Sequence, residues 1–375
     1  MKVMLCGGGT GGHTMPLLAV ADYLRKKHPQ VELCAILERD DERQALSPDI
    51  NTSYIYSGKW RRYWGEGAFK ALLDWRRQLL NIRDGFKVMV GFIQSVVLLL
   101  RHRPNVVFIK GGYVSLPLGL AAGLLNIPYV THDSDTVPGL TNRILAKGAV
   151  KNLVGFPVGN YNYPEHKIQQ VGVPVRPLFS QLNRASARRE LNIPHGQRRI
   201  VVIGGSVGAR RLNLAAAKIS SKLATMATVV HVAGKGDQFT SIKPLVTQNP
   251  NYQLVDFLTD DIGLQLAAAD VVVTRAGATA LAEFACLGST VVVVPNPQLT
   301  DGHQIKNGQA VNSFDAGIVI KESLLEQDPN ILLATVDELL VDPDRRRWLA
   351  NNIKKMLPSD AAKNTAKVLI DEAQL

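Results

Sequence analysis

The short apolar run Val3-Met4-Leu5 breaks directly into Cys6-Gly7-Gly8-Gly9-Thr10-Gly11-Gly12-His13-Thr14-Met15-Pro16, after which Leu17, Leu18, Ala21 and Leu24 recur at helical spacing. This reads as a strand, a glycine turn and a helix. Glycines let backbone N–H groups approach a ligand closely, and the helix N-terminus beyond them favours negative charge, so a phosphate-like group is the natural guest. Pro16 suits a first helical turn.

Gly7, Gly9 and Gly12 also satisfy G-x-G-x-x-G after a strand, the dinucleotide fingerprint, and Glu38 stands where an acidic residue would close the second strand. A plain cofactor cradle has no need of His13. That residue is either a helix-capping or solvated histidine or a catalytic one, and the loop alone does not separate these.

The first half alternates apolar runs with helical stretches. Strands are expected at Lys2–Cys6, Val31–Leu37, Asn105–Ile109, Pro128–Thr131 and Lys151–Val154, which predicts a parallel α/β sheet. Lys110-Gly111-Gly112-Tyr113-Val114-Ser115 forms a second glycine turn after a strand. Asp133-Ser134-Asp135 is a D-x-D triplet of the kind that can hold a divalent cation, but Pro138-Gly139 makes its surroundings an ordinary polar loop, and no metal site is assigned to it.

The Val171-Gly172-Val173-Pro174-Val175-Arg176-Pro177 stretch reads as a linker, and at 375 residues two domains are expected. The pattern then restarts with a strand at Arg198–Ile203 and a glycine turn, Gly204-Gly205-Ser206-Val207-Gly208-Ala209-Arg210. Further strands are expected at Thr228–Val232, Gln253–Phe257, Val271–Thr274 and Thr290–Val294. Gly277-Ala278-Thr279 at a helix start would present N–H groups to a pyrophosphate, and Glu283 one turn on suits a ribose diol. The polar loop Pro295–Asn307 follows a strand's carboxyl end, the edge at which open α/β sheets carry ligands. Residues 322–375 look helical. Gly204-Gly205-Ser206-Val207-Gly208 also matches the G-x-S-x-G nucleophile elbow, for which Asp270 and His303 would have to complete a triad. That reading leaves the first-half loops unexplained.

Composition adds a partner. Net charge is +11, with 46% hydrophobic and 20% charged residues. Between Lys59 and Arg103 stand ten Lys/Arg against three Asp/Glu, together with Trp60, Trp64 and Trp75. Residues 59–86 are therefore expected on an anionic membrane surface, and the uncharged run Val88–Leu100, too short for a span of about 20 residues, as a buried helix of the core. No nucleic-acid-binding module accompanies the charge. Cys6, Cys34 and Cys286 are widely spaced, which fits a reducing compartment, and the entry of Met1-Lys2-Val3 directly into a strand predicts no secretory leader.

Taken in order, Gly8–His13 with Pro16, Gly111–Ser115, Pro138–Asn142, Gly204–Arg210, Gly277, Glu283 and the Asp301–Asn307 loop resemble glycosyltransferase family 28, the bacterial peptidoglycan transferases that add N-acetylglucosamine to lipid I. The resemblance implies the GT-B fold: α/β, two Rossmann-like domains facing across a cleft. It implies an N-terminal acceptor domain over residues 1–172, a UDP-sugar domain over 173–350 and a helical segment over 351–375 that packs back on the first domain. It implies inverting transfer from UDP-N-acetylglucosamine to the muramoyl 4-hydroxyl of undecaprenyl-diphosphate-linked lipid I, giving lipid II, at the cytoplasmic face of the membrane and without a cofactor.

Carried over by position, Arg176, Ser206, Leu258, Gly277, Ala278, Thr279, Glu283, His303 and Gln304 would hold the UDP-sugar. Thr10, Gly11, Gly12, Gly112, Tyr113 and Asn142 would meet the acceptor. His13 would be the base, because its unperturbed pKa of ~6.5 lies near working pH, with Asp135 as the alternative. The chain departs from the family in having Asp135 where asparagine is usual and His303 where glutamine is usual. Phe284–Gly288 and Val294–Asn296 are similar also to the eukaryotic transferase that extends dolichol-diphosphate N-acetylglucosamine.

Rival readings each make a separate demand. Another UDP-sugar transferase would act on a different polyprenyl-diphosphate or glycolipid acceptor. A nicotinamide oxidoreductase would bind its cofactor at Gly7–Gly12. A UDP-N-acetylglucosamine 2-epimerase shares the architecture but needs no basic-aromatic surface, and a lipid-diphosphate binding protein has no use for Glu283 or Gln304.

Overall fold

The computed structural model describes residues 1–8, 11–39, 46–59, 74–205, 209–258 and 261–374, with the side chains of 11–13, 76, 77 and 300 left outside that description. Two compact units result: Met1–Arg176 with Asp360–Leu375, and Pro177–Ser359.

In the first unit, β1 (Lys2–Cys6), β2 (Glu32–Glu38), β3 (Asn51–Ile55), β4 (Val106–Ile109), β5 (Tyr129–Asp133), β6 (Lys151–Val154) and β7 (Ile168–Gln170) form one sheet in the order β3-β2-β1-β4-β5-β6-β7. Every pairing is parallel, with Cys6 opposite Ile36 on one side and Ile109 on the other. Val106 to Ile109 are fully buried, as strands covered on both faces require. The helix Ala361–Ala373 closes this unit, placing Ala366 and Leu369 in one core cluster with Leu17, Val20 and Leu24.

The second unit repeats the plan with β8 (Arg199–Ile203), β9 (Thr228–Val232), β10 (Tyr252–Val255), β11 (Val271–Thr274), β12 (Val291–Val293) and β13 (Ile318–Val319), in the order β10-β9-β8-β11-β12-β13. Strand order reverses between β1 and β4 in the first sheet and between β8 and β11 in the second. At such a point neighbouring loops diverge and leave a crevice beyond the strand ends, where α/β proteins bind ligands. The glycine stretches read from the sequence after β1, β4 and β8 all follow strands that flank a reversal.

Two expectations are corrected. Pro16 does not open its helix; the helix spans Gly11–Lys27 and contains Pro16, because Gly11 to Thr14 are already wound into the first turn. The proline withholds a donor from the carbonyl four residues earlier. The second correction concerns Val88–Leu100, which is not a buried core helix. It is the latter half of one 28-residue helix, Trp75–His102, with Met89, Ile93, Val97 and Leu100 each more than half exposed. The hydrolase triad, already set aside from the sequence, also lacks the geometry. Asp270 precedes β11, where it accepts from Arg199 N (2.9 Å) and pairs with Arg184, at the edge of the sheet opposite the Gly204 turn.

Candidate active site

In the first unit, the rim is built from the ends of β1, β4 and β5. Gly111 (φ +95°) and Gly112 (φ +83°) take backbone conformations that side chains resist, which turns the chain sharply after β4. Ser115 Oγ donates to Gly111 O at 2.8 Å, and Asn142 packs beneath, with its side-chain atoms 3.3 Å from where a Gly111 Cβ would stand. Asn142 Nδ2 donates to His132 O and Asp133 Oδ1, both at 2.9 Å. Asn142 Oδ1 is buried and has no hydrogen-bond partner among the described residues. The motif residues thus divide: Gly112, Tyr113 and Asn142 gather at one rim, and Asp135 stands half-buried just beyond β5.

Asp133, the first half of the D-x-D triplet, is a brace. Its carboxylate also receives Gly139 N (3.0 Å) and Tyr163 OH (2.7 Å). Burial raises its pKa, and these donors together with the Lys110 charge pull it back. With both oxygens occupied by protein donors, Asp133 is not presented as an open metal ligand. Among the described residues, no cluster of metal-binding side chains is found.

Sequence reasoning passed over one group here and placed another differently. Lys110, directly after β4, is only 2% exposed, and burial pushes its ammonium down to about 8 against the opposing pull of the Asp133 and Asp135 charges. A lysine closing an apolar strand was the available signal. Glu38, read as a possible ribose acceptor, instead receives Ser57 Oγ at 3.0 Å on one oxygen and Tyr113 OH on the other. Thr10 lies outside the described residues. Gly11, Gly12 and His13 have described backbone in the first turn of their helix, but the His13 side chain lies outside the description.

In the second unit, Gly205 (φ +89°) turns the chain after β8; Ser206 lies outside the described residues. After β11, Gly277 is the N-cap of the helix Ala278–Leu287, so Ala278 and Thr279 occupy its first turn, where backbone N–H groups have no helical partner. Glu283 lies farther along this helix, partly exposed. Asn307, fully buried in the helix His303–Ser313, donates to Ala276 O at 2.9 Å and fixes the approach to Gly277. His303 opens that helix, and Gln304 Oε1 accepts from Asn296 N at 3.0 Å. Leu258 and Arg176 are both partly exposed, the former beyond β10 and the latter at the end of the first unit.

The whole chain is similar to known transferases. It is 33% identical over 376 residues to the UDP-N-acetylglucosamine–N-acetylmuramyl-(pentapeptide) pyrophosphoryl-undecaprenol N-acetylglucosamine transferase of a Nocardioides species, covering 99% of this chain and 98% of that one. Residues 3–154 match the glycosyltransferase family 28 N-terminal domain, and residues 199–372 match its C-terminal domain. The chain belongs to glycosyltransferase family 28. The transferase of the same name from Caldicellulosiruptor saccharolyticus is 30% identical, over 98% of this chain and 97% of its own.

Solved structures agree on the fold. Acinetobacter baumannii MurG superposes with a TM-score of 0.75 at 23% identity, over 99% of both chains. The Neisseria meningitidis UDP-GlcNAc 2-epimerase bound to UDP-GlcNAc gives 0.64 at 12% identity, over 99% of this chain and 100% of that one. Two different chemistries use this architecture, so family kinship and the residues at the rims must decide between them.

Proposed function

We propose that this protein transfers N-acetylglucosamine from UDP-N-acetylglucosamine to the 4-hydroxyl of the muramoyl sugar of undecaprenyl-diphosphate-linked lipid I, forming lipid II in peptidoglycan synthesis. The observation that carries this reading is kinship over essentially the full chain with transferases of that name. An assay with UDP-[¹⁴C]N-acetylglucosamine and lipid I in vesicles tests it. Label should appear in lipid II in proportion to enzyme, and the reading fails if label stays in the nucleotide sugar or if the sugar is merely epimerised.

The donor sits on the second unit. The first-turn N–H groups at Gly277–Thr279 receive the diphosphate, so negative charge developing on the UDP leaving group is met by aligned dipoles that need no reorganisation. Glu283 holds the ribose, Leu258 meets the uracil, and Arg176 and Ser206 contact the UDP. Gln304 has its amide oxygen on Asn296 N–H and offers its NH₂ to a sugar hydroxyl, with His303 beside it at the helix start. The acceptor meets the first unit's glycine turns, with Thr10, Gly11 and Gly12 on one side and Gly112, Tyr113 and Asn142 on the other. His13 takes the proton from the acceptor hydroxyl as the bond to the anomeric carbon forms, and the result is inversion. Asp135 remains a second reading, favoured by its half-buried place just beyond β5, on the same rim as Asn142.

The membrane-facing side is the helix Trp75–His102, about 42 Å long at 1.5 Å per residue. Its polarity is inverted relative to an ordinary surface helix. Asn81, Asp84 and Ser95 are buried, whereas Trp75, Leu79, Ile82, Phe86, Ile93 and Val97 are exposed at spacings of three, four and seven. Such a stripe, with Arg83, Lys87 and Arg101 along the same helix, suits the headgroup–acyl boundary of an anionic bilayer. No helix among the described residues is long and apolar enough to cross a membrane. In this reading the protein works as a peripheral enzyme at the cytoplasmic face, where a soluble nucleotide-sugar donor and a lipid acceptor meet. The expected segment 59–86 is extended toward Leu100 in this reading, and its residues 60–73 lie outside the described residues.

A further inference from the structure

Three separate stretches of the second unit meet at one carboxylate, and a fourth is tied to it through an arginine. Glu322 opens the helix Glu322–Gln327, and its side chain is 3% exposed. One oxygen receives the Arg275 guanidinium and the other receives Arg211 Nη1 at 2.8 Å. Arg275, itself buried, donates its remaining amino group to Val294 O at 3.1 Å. Arg211 also reaches Glu326 through Nε at 2.9 Å.

Each tethered atom lies beside a loop assigned to the donor. Arg275 stands between β11 and the Gly277 turn. Val294 follows β12, just ahead of Asn296, whose N–H holds Gln304. Arg211 is the second residue of the helix Arg210–Lys218, which follows β8 and Gly205 in the chain. A buried ion pair is weak support for stability, because desolvation consumes much of the attraction and a well-packed apolar replacement does as well. Fixed geometry is what the arrangement adds: the planar arginine fork and the carboxylate admit few relative orientations. The helix N-terminus stabilises the Glu322 charge from a further side.

We propose that Glu322 is a positioning residue that, through Arg275 and Arg211, holds three donor-binding loops in register for the nucleotide sugar. The inference rests on the reading that the second unit binds UDP-N-acetylglucosamine. Glu322 touches no substrate and acts through the two arginines.

The test is steady-state kinetics with both substrates varied, beside calorimetric titration of UDP, for wild type, Glu322→Gln, Arg211→Met and the double variant. Arg211 is 40% exposed in its side chain, so its variant keeps a folded protein in the series if the loss of Glu322 proves disruptive. The expected result is a KM for UDP-N-acetylglucosamine raised about tenfold in Glu322→Gln and severalfold in Arg211→Met, with the KM for lipid I unchanged. The double variant should be no worse than Glu322→Gln, because both changes break one linkage. An unchanged donor KM in Glu322→Gln overturns the inference, as do equal changes in both KM values or strictly multiplicative effects in the double variant. If wild type itself fails to bind UDP, the donor-site reading falls first and this inference with it.

Discussion

Replacing Lys110 with methionine should make the protein more stable and less active. The lysine lies at the end of β4, 2% exposed, and its pKa falls from 10.5 to about 8 because burial disfavours the charged form more than Asp133 and Asp135 favour it. At 1.36 kcal/mol per pKa unit, the difference corresponds to a folding penalty of about 3 kcal/mol at neutral pH. Methionine matches the unbranched stem and removes the charge, so about 3 kcal/mol is the ceiling of the gain. Asp133 loses a favourable neighbour in the exchange, which returns part of it. The sign with pH follows from proton counting. Below pH 8, both folded and unfolded chains carry the proton, and the penalty is present in full. Between about 8 and 10.5, the folded chain releases the proton first, so wild-type stability rises with pH relative to the variant. Urea unfolding of both proteins from pH 7 to 10.5 reads this directly. Lys110→Met should lead at pH 7 and lose its lead across that window. A variant less stable at pH 7, with a difference independent of pH, would refute the reasoning. A group retained at such a cost beside two glycine turns is expected to serve the acceptor, so lipid I turnover should fall at the same time.

Among the remaining expectations, His13→Ala should lower kcat by 10²–10⁴-fold, the usual worth of a general base, with Asp135→Asn affecting it less; the reverse order in single-turnover assays would transfer the role to Asp135. Phe86→Glu or Ile93→Glu should weaken sedimentation with anionic vesicles by about tenfold or more each, since an exposed large apolar side chain entering the bilayer is worth about 1.5–3 kcal/mol, and unchanged sedimentation would remove the helix from the interface. Gly91→Ala should destabilise the protein by about 1–3 kcal/mol in thermal unfolding, because a Cβ there would stand 1.9 Å from Tyr56 O and the helix must retreat. Activity should persist in EDTA, because helix N–H groups face the diphosphate and Asp133 is already braced by Tyr163, Gly139 and Asn142; loss in EDTA with recovery in Mn²⁺ would reinstate the D-x-D triplet as a ligand.

What could be read in advance follows physical lines. The bounds of β1, β9 and β11 were legible because each is a largely apolar run bounded by polar or turn residues, as strands buried on both faces require, and β6 was legible from its Leu-Val end stopped by Gly155. β3 was not, because Asn-Thr-Ser-Tyr-Ile is an edge strand mostly at partial exposure, and neither was β7, whose Ile-Gln-Gln has no apolar periodicity to show. The glycine turns were legible because positive φ at Gly111, Gly112 and Gly205 asks for that residue type. Lys110 and Glu322 were not assigned, and Glu38 was given a cofactor role it does not show, for their meaning comes from partners that only the fold supplies: Tyr113 for Glu38, and Arg211 and Arg275 for Glu322.

The helix Trp75–His102 shows the limit most plainly. Near-continuous apolarity from Val88 to Leu100 points to a core, yet the side that packs inward is chosen by Gly91, which lets the helix backbone come against Tyr56, and by Gln94, which accepts from Tyr56 N at 2.8 Å. Buried polar groups must be hydrogen-bonded wherever they lie, and Ser95 Oγ meets that need on Gly91 O at 2.7 Å. Once Asn81, Asp84, Gly91 and Ser95 face the protein, helical geometry forces Ile82, Phe86, Ile93 and Val97 outward. Water alone would not favour that face; the proposed contact with an anionic bilayer, beside Arg83, Lys87 and Arg101, would.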